Sequence, residues 1–152
     1  MAQPGLRLVD PAASVAPAVK SVVLIGSYPP RRCGIATFTA DVREALLAAS
    51  PTLRCDVFAM NDAGRPYAYG PEVVMQIAQQ KTIDYQAAAA EINALRPDVI
   101  FVQHEFGIFG GRAGEHLMLL LEATDRPVVT MLHTVLDAPN ADQRMVFEAL
   151  LA

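Results

Sequence analysis

Three short stretches of this chain carry the residue types that do chemistry. The first, Ser27-Tyr28-Pro29-Pro30-Arg31-Arg32-Cys33-Gly34-Ile35, follows an apolar run and joins two prolines, two arginines and a glycine. Prolines stiffen such a loop, and Gly34 lets backbone approach a ligand closely just before a helical pattern begins. N–H groups and the helix dipole at that point favour an anion such as a phosphate. The plain alternative is a structured turn and helix cap. Neither G-x-G-x-x-G nor GK[ST] occurs in the loop, so it is not a dinucleotide fingerprint or a Walker loop.

The second stretch is Gln103-His104-Glu105-Phe106-Gly107-Ile108-Phe109-Gly110-Gly111. An adjacent His-Glu pair can present polar groups to a sugar or another hydroxyl-bearing ligand, with Phe106 or Phe109 as an apolar wall. A histidine hydrogen-bonded inside the fold is the alternative. Side chains alternate across a strand end, so only one of His104 and Glu105 is expected to face a crevice. The third stretch is His133-Thr134. An imidazole there can hydrogen-bond a bound hydroxyl or meet a phosphate or developing charge at neutral pH, or it can simply tie down the preceding loop. His116 reads as structural or surface.

These stretches are positioned by an alternation of β-type runs and helix-period segments, which predicts an α/β domain with a parallel sheet. Val22-Val23-Leu24-Ile25, ending at Gly26, predicts a strand buried on both faces. Ile35, Phe38, Val42, Ala45, Leu46 and Ala49 recur at helical spacing, and Ser50-Pro51 ends that helix. Strands are expected over Cys55–Met60, Val73–Ile77, Val99–Val102 and Val128–Leu132. Helices are expected over Tyr85–Leu95, broken at Arg96-Pro97, and around Leu117–Leu121, apolar on most sides and hence well buried. Asn140 with Gln143 resembles a capping box that opens a last helix through Val146, Phe147, Leu150 and Leu151. The order β-α-β-β-α-β-α-β-α fits a doubly wound, Rossmann-like parallel sheet with strand order 3-2-1-4-5 and right-handed crossovers. Ligands in such sheets bind beyond the carboxyl ends of the strands where the order reverses. That point lies between the first and fourth strands, beside all three stretches.

Composition bounds the rest. The 152 residues suit one domain, with residues 1–20 as an Ala/Pro-rich flexible leader and 21–152 as the folded unit. At 53% hydrophobic and 18% charged the chain is not a disordered one. Its net charge of −4 argues against a nucleic-acid partner. No apolar run approaches the roughly 18–20 residues of a membrane span, the leader fails as a secretory signal, and Cys33 and Cys55 form no metal-ligand pattern. A cytoplasmic protein is expected.

Together the three stretches resemble the retaining GT-B glycosyltransferases of group 1 (family 4), in the family's order and over residues 21–152. The carriers are Tyr28 to Phe38, Gln103 to Gly111, and Leu132-His133-Thr134-Val135-Leu136. The resemblance is to the N-terminal, acceptor-side half of that two-domain architecture. It implies transfer of a sugar, with retention, from a nucleotide-sugar donor to a sugar, lipid or small-molecule acceptor without a bound metal or other cofactor. It assigns Gly34, Ile35 and Arg32 to the loop near donor phosphate and acceptor, and His133 to a stabilising or positioning role beside the transferred sugar. His104, Glu105 and Phe106 fall on the acceptor-side crevice. The chain departs from the family where Cys33-Gly34 replaces a glycine pair, and the C-terminal donor domain is not among these residues. On this reading the 152 residues alone turn over little or nothing. The alternative is a stand-alone nucleotide- or sugar-binding module of flavodoxin-like topology. Under either reading the fifth strand ends the sheet, and an edge-to-edge homodimer is compatible with it.

Overall fold

The computed structural model describes residues 18–152; most of the expected leader lies outside them. The described chain runs β1 (Ser21–Gly26), α1 (Gly34–Ala49), β2 (Arg54–Asn61), β3 (Val73–Ala78), α2 (Thr82–Leu95), β4 (Val99–His104), a 3-10 turn (Arg112–Gly114), α3 (His116–Leu121), β5 (Val128–Leu132) and α4 (Ala141–Leu151). All neighbouring strands pair in parallel, in the order β3-β2-β1-β4-β5. This is the expected doubly wound order. It differs from the flavodoxin order 2-1-3-4-5, because β3 lies outside β2 rather than between β1 and β4.

The alternation of side chains along each central strand builds two cores. Val22 and Leu24 of β1 join Cys55, Val57 and Ala59 of β2 beneath α1, whose Val42, Leu46 and Leu47 close that side. Val23 and Ile25 face the other way and join Phe58, Met60, Ile100 and Val102 under Tyr85, Ala88 and Ile92 of α2 and Leu117 and Leu120 of α3. Helix α2 stops where Arg96 turns left-handed (φ 48°), its N–H closing on Ile92 O, before Pro97. The capping box of α4 is present with both bonds at 2.9 Å.

Two expectations need correction. Helix α3 buries only Leu117 and Leu120, while Leu119 is exposed, because six residues make fewer than two turns and one side alone meets the sheet. Strand β4 continues through His104, two residues past the expected end, since β5 extends alongside and pairs Gln103 with Met131 and His104 with Leu132. Strand β5 has the sequence of a strand covered on both faces, yet Val128 and Val129 are 40% and 51% exposed. It is an edge strand, and α4 reaches only the side bearing Val128, Thr130 and Leu132.

Candidate functional site

The carboxyl ends of β1, β4 and β5 bring the three stretches together. On the α1 side of the sheet, Gln103 lies against β1 so closely that a Cβ on Gly26 would stand 2.9 Å from its own Cβ. Gln103 is fully buried, and its Oε1 lies 2.9 Å from His133 Nε2. An amide oxygen only accepts, so His133 Nε2 is the donor in this bond. The half-buried imidazole meets the Phe38 ring edge-on, with centroids 4.8 Å apart. Phe38 is one turn along α1 from Gly34, so His133 and the helix N-terminus share one end of the sheet. The His133 N–H also donates to His104 O, which carries the β4–β5 ladder one residue past β5.

Helix α1 begins as the loop reading anticipated. Cys33 is its N-cap, and Cys33 Sγ accepts from Ala36 N–H at 3.4 Å. The first four N–H groups of a helix lack partners in its own ladder, so those of Gly34 and Ile35 lie at the open end. Gly34 is exposed, and a Cβ built on it would meet no atom within 4 Å. Packing therefore does not demand glycine at this position. Arg32 is exposed, whereas Arg31 is turned inward onto Asp62 at 2.6 Å and onto Met60 O. Only one of the loop's two arginines therefore offers free positive charge.

The second stretch is divided by the sheet. His104 belongs to the opposite face from Gln103 and is fully buried. Phe109 stacks on it, Phe106 meets it edge-on at 5.1 Å, and Phe147 of α4 lies over both His104 and Phe106. His104 and Phe109 are thus buried among these rings, and Phe106 is half-buried beside them. Glu105, half-buried, is the member of the pair near the strand ends. It accepts from Phe106 N–H and from the Thr134 hydroxyl, joining the second stretch to the third.

Burial pushes the His104 imidazole down to about 4, against the pull of Glu105 and with a smaller push from His133. Its folded pKa lies below the ordinary value of 6.5, so the unfolded chain binds the extra proton first. The stability this contributes is complete above pH 6.5 and is lost as the pH falls through that value toward about 4. Urea unfolding between pH 7 and 4 is expected to show that decline, and His104→Phe to flatten it. An equal decline in the variant would assign the effect to other groups.

Sequence reasoning passed over Gln103, although an amide directly after the apolar run Val99–Val102 and on the face of Val99 and Phe101 was a visible signal. Gln103 Nε2 and Ser27 Oγ are buried polar atoms with no partner among the described residues, at the ends of the two strands that flank the reversal point. No group of three or more His, Cys, Asp or Glu side chains among the described residues is arranged to hold a metal, and no described helix is long and apolar enough to cross a membrane. No protein-family model, curated protein or solved structure matches the chain.

Proposed function

We propose that this chain is the acceptor-side part of a glycosyltransferase that moves a sugar from a nucleotide-sugar donor to an acceptor hydroxyl with retention. The observation that carries the reading is the seat of His133. Its ring is fixed by buried Gln103 and by Phe38, one turn from the open N-terminus of α1, at the point where a doubly wound sheet binds ligands. Partnerless Ser27 Oγ and Gln103 Nε2 support it, since a sugar hydroxyl or phosphate oxygen is the kind of group that would take such hydrogen bonds.

In this reading the bond from the anomeric carbon to the donor phosphate breaks, and the phosphate leaves with the electron pair. The acceptor oxygen forms the new bond on the same face of the sugar and passes its proton to the departing phosphate oxygen. The N–H groups at Gly34 and Ile35 steady the donor's phosphate charge at the α1 N-terminus. His133 orients or stabilises the sugar as positive charge develops on it. Glu105 and Thr134 hold the two loops in register, and His104 and Phe106 support them from the other side of the sheet.

Gly34→Val tests the reading. The space around Gly34 is open, so the variant is expected to fold, while its branched side chain stands between the helix N-terminus and a ligand. Nucleotide-sugar binding, measured calorimetrically on a polypeptide carrying this domain, is expected to fall about tenfold or more. Unchanged binding would remove the loop from the donor site. Donor binding without transfer or hydrolysis of any nucleotide sugar would favour the binding module.

A further inference from the structure

On the β2 side of α1's N-terminus, a cavity of about 250 Å³ is lined by Pro30, Arg31, Arg32, Asp62, Arg65 and Tyr67. Its charges do not balance. Asp62 is the one carboxylate, and it is already engaged by Arg31 at 2.6 Å and by the Tyr67 hydroxyl at 2.6 Å. Arg32 and Arg65 form no ion pair among the described residues, and both are exposed. Three guanidinium groups against one carboxylate leave two positive charges around a concave, polar space.

The walls are built rather than incidental. Arg31 is anchored at both ends of its guanidinium, on Asp62 and on Met60 O. The loop between β2 and β3 that carries Arg65 and Tyr67 is tied back by Tyr69, whose hydroxyl donates to Asn61 Oδ1, and Asn61 Nδ2 donates to Gln76 Oε1. Fixed side chains thus set the back of the cavity, and two unpaired arginines stand at its mouth. Paired planar guanidinium groups suit a phosphate, whose several oxygens accept from both.

We propose that this cavity binds the phosphate monoester of a small phosphorylated acceptor, with Arg32 and Arg65 as its ligands. The assignment to the acceptor rests on the glycosyltransferase reading. His133 lies at the ends of β4 and β5, whereas the cavity lies at the ends of β1 and β2. A molecule other than the one whose sugar meets His133 is therefore the fitting occupant.

The test uses the full chain and inorganic phosphate as the probe, followed by NMR through the arginine Nε–H signals. Phosphate is expected to shift Arg32 and Arg65, and Arg65→Gln to weaken it about tenfold. Arg65→Lys is expected to retain part of the affinity. Arg144→Gln, which removes the same charge from α4, is expected to leave it within twofold, a near-null effect for a remote exposed charge. Absent phosphate binding, or equal weakening by Arg144→Gln and Arg65→Gln, would overturn the site. Displacement of phosphate from Arg65 by a nucleoside diphosphate would overturn its assignment to the acceptor and give the cavity to the donor. The probe contains no sugar, so failure here is distinct from failure of donor binding in the Gly34→Val comparison.

Discussion

Gly110→Ala is expected to lower the unfolding free energy by about 3 kcal/mol, the largest stability loss we foresee for adding a single methyl group. A Cβ at Gly110 would overlap the carbonyl oxygen of Gln79 and stand 2.6 Å from His116 Nδ1. The Gln79 carbonyl cannot retreat cheaply. It accepts the hydroxyl proton of Tyr85 at 2.9 Å, and the same hydroxyl oxygen accepts Gly110 N–H at 2.9 Å. Tyr85 is fully buried, and burial pushes its hydroxyl up to about 12, so it remains a donor across the working pH range. One methyl group would therefore pry the β4–α3 loop from the β3–α2 turn and strand a buried hydroxyl between them. Gly107→Ala, three residues earlier in the same glycine-rich stretch, is the control. Nothing lies within 4 Å of its Cβ position, and its cost is expected within about 0.5 kcal/mol. Urea unfolding of the two variants checks this. Equal stabilities would show that the loop does not rest on Gln79.

His133→Ala is expected to depress sugar transfer about 100- to 1,000-fold, in a polypeptide that carries this domain and uses a nucleotide sugar. The ring is held at the strand ends by Gln103 Oε1 at 2.9 Å and by Phe38 against its edge. Removing it also leaves the buried Gln103 amide without that partner, which costs about 1 kcal/mol. A thermal melt must therefore accompany the assay. The variant is expected to remain folded with a modestly lower Tm, while kcat falls far more than substrate affinity. Unchanged turnover would end the role assigned to His133. A loss of turnover that merely tracks the loss of folded protein would reduce it to a structural residue.

Much of the frame was legible from the chain alone. Val22 to Ile25, Val99 to Val102 and Val128 to Leu132 read as strands because β-branched runs between turn residues have few other ways to bury themselves. Parallel order followed from the connections, and Asn140 with Gln143 marked a helix start because the capping box is a local device, complete within four residues. Gly34 could be picked out for the same reason, as a helix N-terminus is a local feature.

Tertiary structure decided which side of the sheet each polar residue serves. Adjacent residues on β4 point to opposite faces, so His104 vanished beneath Phe109 and Phe147 while Gln103 came to hold His133. Pairing of β4 with β5 set that register, and the position of α4 settled what covered His104. The two arginines of the first loop are alike in sequence, yet Asp62, thirty-one residues beyond Arg31, captures only one of them. Gly107 and Gly110 are equally alike, and only the approach of Gln79 makes one of them irreplaceable. Local periodicity determines elements; partners distant in sequence determine which side chains are spent inside the fold and which remain free for chemistry.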